Sequence, residues 1–151
     1  MSDPIRIISV EDDPLQAAWI KHAIEQRIDG AAVIHIGTES EFIERLPEIA
    51  AHPPGVILLD VMLRWADPSP SIPERPADVK DRGMRRAGFR CWARLNENPK
   101  SRRVPVVLYT VLERNELEEW PTELPPRLRF LHKSSDPEAL ETAIREIISQ
   151  E

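Results

Sequence analysis

Apolar residues in this chain fall into short dense runs, separated by longer segments in which they recur every third or fourth position. Ile5-Arg6-Ile7-Ile8-Ser9-Val10, Ala32-Val33-Ile34-His35-Ile36, Gly55-Val56-Ile57-Leu58-Leu59, Val104-Pro105-Val106-Val107-Leu108-Tyr109 and Leu128-Arg129-Phe130-Leu131-His132 have strand length. The third is apolar from Val56 to Leu59 and reads as a central strand covered on both faces, although periodicity alone also admits a short buried helix. Between the runs, Leu15, Ala18, Trp19, Ala23, Ile24 and Ile28 space a helix that begins at Pro14. Phe42, Ile43, Leu46 and Ile49 space a second, with Ser40 as its cap and Pro47 expected to kink or shorten it. Gly88 to Leu95 reads as a third and Leu112 to Trp120 as a short acidic fourth. Leu140, Ala143, Ile144, Ile147 and Ile148 give the last its stripe, behind the cap Asp136 and Pro137. Strands alternating with helices predict one α/β domain over residues 1–151, a parallel sheet with right-handed crossovers.

The pattern fails over residues 64–87. Arg64 to Pro76 has four prolines and no apolar period, and the segment runs on into Lys80, Arg82, Arg85, Arg86, Arg90 and Arg94. It is too long for an ordinary strand-to-helix loop, which predicts a functional or partly disordered segment. Its arginines, with Arg102 and Arg103, form either a solvated helix surface with local ion pairs or a basic face for an acidic partner or nucleic acid. Trp65, Trp92 and Trp120 either pack this segment onto the body or present a partner surface.

Composition narrows the class: 41% hydrophobic and 30% charged residues exclude a disordered or membranous chain. Nothing at Met1-Ser2-Asp3-Pro4 resembles a signal peptide, so a cytoplasmic address is expected, in accord with the lone Cys91. Cys91 is expected in a helix or the core, and His22, His35, His52 and His132 lack ligand spacing. The net charge of −6 argues against direct nucleic-acid binding. No Gly-rich phosphate loop is present.

In a parallel sheet the groups that follow the strands share one edge, where open α/β sheets bind ligands. Glu11, Asp12 and Asp13 follow the first run, Asp60 the third, Thr110 the fourth and Lys133 the fifth. Each has an ordinary reading: a turn or helix cap for the acidic residues, a solvated strand end for Lys133. Together they suit phosphoryl chemistry. Gathered carboxylates repel unless a cation sits among them, and hard oxygen ligands suit Mg²⁺. A lysine and a hydroxyl would hold phosphoryl oxygens while Asp60 acts as nucleophile.

Val-Glu-Asp-Asp-Pro after the first strand, Leu-Leu-Asp-Val-Met-Leu at the third, Tyr-Thr at the fourth and Phe-Leu-His-Lys at the fifth resemble the receiver domain of two-component response regulators. The resemblance spans nearly the whole chain apart from residues 64–87, which then form an insertion between the third strand and the third helix. It implies a flavodoxin-like, doubly wound five-stranded sheet of order 2-1-3-4-5 with helices on both faces. It also implies Asp60 as phosphoacceptor and a magnesium site from Glu11, Asp12, Asp60 and the backbone carbonyl of Met62, with Asp12 the direct ligand. Thr110 becomes the switch hydroxyl, Lys133 the catalytic lysine and Phe130 an aromatic switch, for which core packing is the alternative; Asp13 has no fixed role. Three departures accompany the match: Gly88 is the glycine before the next helix, Val111 replaces a small residue after Thr110, and Ser134 stands where proline commonly follows the lysine.

The expected function is that of a stand-alone phosphoacceptor in a two-component system or phosphorelay, a signalling domain rather than an enzyme apart from self-catalysed phosphoryl transfer and hydrolysis. The donor would be a sensor histidine kinase or phosphotransfer protein, and output would pass through a downstream protein partner or a homodimer, without a membrane. The alternative is a receiver-like interaction scaffold, rarely or never phosphorylated, acting through the basic proline-rich insertion. A phosphatase of the haloacid-dehalogenase type would want a second acid two residues past Asp60, where Met62 stands.

Overall fold

The computed structural model of the chain describes residues 4–67, 71–72, 74–76, 86–113, 125, 127–133 and 136–149. Strands β1 (Ile5–Val10), β2 (Ala31–Ile36), β3 (Val56–Leu59), β4 (Val106–Thr110) and β5 (Leu128–His132) pair in parallel in the order β2-β1-β3-β4-β5. Among the described residues the helices are α1 (Pro14–Arg27), α2 (Glu39–Ala51), α3 (Ala87–Asn96) and α4 (Pro137–Ile148). This is the flavodoxin-like arrangement expected from the alternation of elements. The short acidic helix expected from Leu112 falls, from residue 114 onward, outside the described residues.

Strand pleating sorts the core into two layers. Ile8, Val10, Ile57, Leu59, Val106 and Leu108 pack with Phe42, Ile49, Cys91 and Leu95 of α2 and α3. Ile7, Val56, Leu58, Val107 and Tyr109 pack with Ile20 and Ile24 of α1 and Leu140, Ile144 and Ile147 of α4. Every residue of β3 is buried because helices cover both of its faces. Pro105 precedes β4 and lends its carbonyl to Ile57 N (2.9 Å), so the sheet loses no ladder donor to it.

Four local expectations change. The buried face of α1 is Ala17, Ile20, Ala23 and Ile24; Leu15 is 82% exposed, Trp19 39% exposed, and Ala18 also faces solvent. Apolar residues surround this helix, so its phase is decided by docking against Val33 and Ile144 rather than by periodicity. Thr38, not Ser40, caps α2: its side chain accepts from Glu41 N, and Ser40 lies inside the first turn. Pro47 does not cut α2, which continues to Ala51 with Phe42 and Ile49 buried on either side of it. Arg90, expected on a solvated face, is buried and donates to both oxygens of Glu39 at 2.7 Å. Asp13 caps α1 and Asp136 caps α4. Among the described residues no helix is long and apolar enough to cross a membrane.

Candidate functional site

Backbone bonding carries the sheet one residue past its strands and thereby fixes the site. Glu11 N donates to Ile36 O (3.0 Å), Asp60 N to Val10 O (3.1 Å) and Lys133 N to Thr110 O (2.8 Å). Three residues far apart in sequence thus begin from adjacent positions on the C-terminal rim. Their side chains meet there. Lys133 Nζ donates to Asp60 Oδ2 at 2.7 Å and to Glu11 Oε2, with side-chain exposures of 8%, 6% and 3% respectively.

Buried charges require partners, and here two carboxylates share one ammonium, leaving an excess of negative charge beside solvent. Burial pushes the Glu11 carboxyl from 4.5 up to about 7; the Lys133 hydrogen bond opposes this and the Asp60 charge reinforces it. Burial pulls the Lys133 ammonium down, but the charge and hydrogen bond of Asp60, with those of Glu11, outweigh it and hold the group protonated above its ordinary value.

A cleft of about 310 Å³ opens beside these groups, lined by Glu11, Asp12, Asp13, Gln16, Asp60, Met62, Val111 and Lys133. Asp60 Oδ1 accepts from Met62 N (3.2 Å), so the aspartate also serves the turn role open to it from sequence. Asp12 Oδ2 accepts from Arg64 N (3.0 Å), with Arg64 Nε at 3.9 Å. The Glu11 carbonyl accepts from His35 Nε2 at 2.6 Å, which braces the acidic turn from β2. Gly88 N donates to Val61 O (2.9 Å), and a Cβ on Gly88 would stand 2.4 Å from Asp60 O and 2.7 Å from Val61 Cα. Only glycine allows α3 to lie this close to the Asp60 backbone.

Of the residues expected at the site, Glu11, Asp12, Asp60, Met62 and Lys133 line one cleft. Thr110 reaches the same rim but is fully buried, its Oγ1 accepting from Leu112 N (3.3 Å), and it is not among the lining residues. Val111 lines the cleft and is 52% exposed, so the β-branched side chain does stand at its mouth. Phe130 is half-buried against the α2–α3 layer. Trp92 is half-buried against the same layer and Trp65 is buried, while Trp120 and Ser134 lie outside the described residues. Periodicity gave no sign of His35, Arg64 or Gln16. His35 could be placed only once the register pairing it with Ser9 was known.

The side-chain donors around the cleft are hard oxygens, the four carboxylates of Glu11, Asp12, Asp13 and Asp60 with the Gln16 amide, and the Lys133 ammonium already stands in for a cation between two of them. Among the described residues no three acidic, histidine or cysteine side chains converge as a ready-made metal cluster. Mg²⁺ needs only one or two carboxylates and keeps several waters, so the donor set fits it.

No protein-family model matches the chain, and no curated protein matches it. Solved structures do. The signal receiver domain of a signal transduction histidine kinase from Syntrophus aciditrophicus superposes with a TM-score of 0.66 at 22% identity, over 96% of this chain and 90% of that one. A response regulator receiver domain protein from Bacillus halodurans gives 0.65 at 20% identity, over 96% and 97%. The receiver domain of a sensor histidine kinase from Pseudomonas aeruginosa PAO1, described with a magnesium ion coordinated in its active site cleft, gives 0.66 at 17% identity, over 97% and 98%. The chain therefore has the receiver fold of two-component signalling proteins.

Proposed function

We propose that this chain, as a single receiver domain with residues 64–87 inserted after the third strand, accepts a phosphoryl group from phosphohistidine onto Asp60. The observation that carries the reading is the Lys133 ammonium 2.7 Å from the carboxylate of Asp60, at the tip of the central strand and beside an acidic cleft. One Asp60 oxygen attacks phosphorus in line; the P–O bond forms, the P–N bond breaks, and its electron pair leaves with the imidazole, which takes a proton from solvent. Lys133, 2.7 Å from Asp60, would neutralise a transferred phosphoryl oxygen as well as Asp60. Thr110, whose oxygen accepts from Leu112 N, retains its O–H to donate to another. Glu11, Asp12, Asp60 and the Met62 carbonyl would hold Mg²⁺, which when bound offsets the negative charge of the phosphoryl oxygens.

The added charge draws the Thr110 hydroxyl toward the rim and frees space for Phe130, which switches a protein-binding surface. A sensor histidine kinase or phosphotransfer protein is the donor, and a downstream protein or a second copy reads the change in the cytoplasm. The test is incubation with acetyl phosphate and Mg²⁺, scored by intact mass. A Mg²⁺-dependent gain of one phosphate that is absent in Asp60→Asn is the expected result. No gain from acetyl phosphate or from any histidine kinase would favour a scaffold acting through the proline-rich segment instead.

A further inference from the structure

The segment after β3 begins with residues that belong to two places at once. Arg64 N donates to Asp12 Oδ2 at 3.0 Å, while Arg64 O accepts from Glu39 N at 2.9 Å and Trp65 O from Ser40 N at 2.8 Å. Two first-turn donors of α2, which have no partner within a helix, are thus satisfied by this strap. Leu63 is fully buried and Trp65 is 8% exposed, so the strap is pinned by apolar anchors as well as by hydrogen bonds. Both contacts of Asp12 with the strap fall on Oδ2, and Asp12 itself lines the cleft.

We propose that the Leu63–Trp65 strap is a positioning element that orients Asp12 for a divalent cation, through the main-chain N–H of Arg64 and not through its side chain. This rests on the reading of the cleft as a Mg²⁺ site. A ligating carboxylate held through one oxygen by a fixed donor presents the other in a single direction, and such supporting bonds are worth about 10–100-fold in metal affinity. The anchoring runs from α2 through Trp65 and Arg64 to Asp12, so the buried indole, remote from the cleft lining, sets how well the ion binds.

Mn²⁺ serves as the probe, with the free ion counted by electron paramagnetic resonance. Trp65→Ala, which removes the anchor, should weaken Mn²⁺ binding by about tenfold or more. On an Asp12→Asn background the same change should have almost no effect. Arg64→Ala keeps the N–H and removes a cation 3.9 Å from Asp12, so it should tighten binding. Wild-type affinity in Trp65→Ala, equal weakening with and without Asp12, or weakening by Arg64→Ala would each overturn the proposal. Should Trp65→Ala fail to fold, Trp65→Leu keeps an apolar filler, and hydrogen exchange over residues 61–67 should rise in step with the loss of affinity. Faster exchange with unchanged affinity would refute the strap's role. Absence of Mn²⁺ binding by the wild-type protein would remove both this inference and the reading of the cleft, whereas strap-independent binding removes this inference alone.

Discussion

Two buried charge clusters in this protein look alike by distance and differ in everything that decides their use. Between α2 and α3, Arg90 meets Glu39 through both carboxylate oxygens at 2.7 Å, with side-chain exposures of 8% and 0%. At the rim, Lys133 meets Asp60 at 2.7 Å and also Glu11. In the first, each Glu39 oxygen holds a nitrogen of the Arg90 fork within the α2–α3 packing. The second has two carboxylates for one ammonium and borders a cleft of about 310 Å³. A bidentate pair packed between helices holds them in place, while two carboxylates around one ammonium beside a cleft favour a further cation and can exchange partners. Burial of charge alone does not mark a site; unequal charge facing a cavity does.

The largest expected effect falls on the open cluster. Lys133→Ala should slow phosphoryl uptake from acetyl phosphate by about 100-fold or more, the scale lost when one preorganised charge-stabilising donor is removed. A wild-type rate, read by intact mass, would erase the contrast between the clusters. Between α2 and α3, Arg90→Met strands a buried carboxylate and should lower unfolding stability in urea by about 3–5 kcal/mol. Arg90→Met with Glu39→Met should recover most of that loss, because neither member of the ion pair is then left buried without the other. If the double variant stays as unstable as the single one, the two residues do not act as a unit.

Gly88→Ala tests the close approach of α3, the helix that carries Arg90, to the Asp60 backbone. The new methyl would meet the Asp60 and Val61 backbone at 2.4 and 2.7 Å, so α3 must shift at a cost of about 1–3 kcal/mol. Chemical denaturation measures the cost, and the shift should also lower phosphoryl uptake, since Gly88 backs the Asp60 peptide. Unchanged uptake would separate α3 from the site.

The smallest effect belongs to an exposed pair. Glu25 accepts from Val33 N and from Lys21 Nζ, each at 2.9 Å, and these bonds hold its carboxyl below 4.5. A carboxyl lowered by folding stabilises the protein fully above pH 4.5, and that contribution fades as pH falls through the folded value. Glu25→Gln should therefore flatten the acid side of the stability profile below pH 4.5, with only a few tenths of a kcal/mol at stake because solvent screens the pair. A profile as steep as the wild type would show that ionisation of Glu25 adds nothing to the contact.

The five apolar runs and the residues that end them were legible in the chain, because a doubly covered parallel strand must be apolar at successive positions and its polar end must face a sheet edge. That legibility extends to Glu11, Asp60 and Lys133, whose backbone amides continue the ladder with Ile36, Val10 and Thr110. It also covers the caps Asp13 and Asp136, each beside a proline at the start of a helix.

Other features depended on contacts between segments distant in sequence. Packing decided that Leu15 and Trp19 face outward, since the apolar residues of α1 are spread around the helix and set no phase of their own. It brought Arg90, read as one of a solvated basic run, against Glu39, a partner 51 positions away that no local pattern announces. It put Arg64 N on Asp12, a main-chain donor that the identity of the side chain cannot reveal. Local energetics act within a few residues and leave a record in the sequence, whereas charge pairing across the fold is written only in three dimensions.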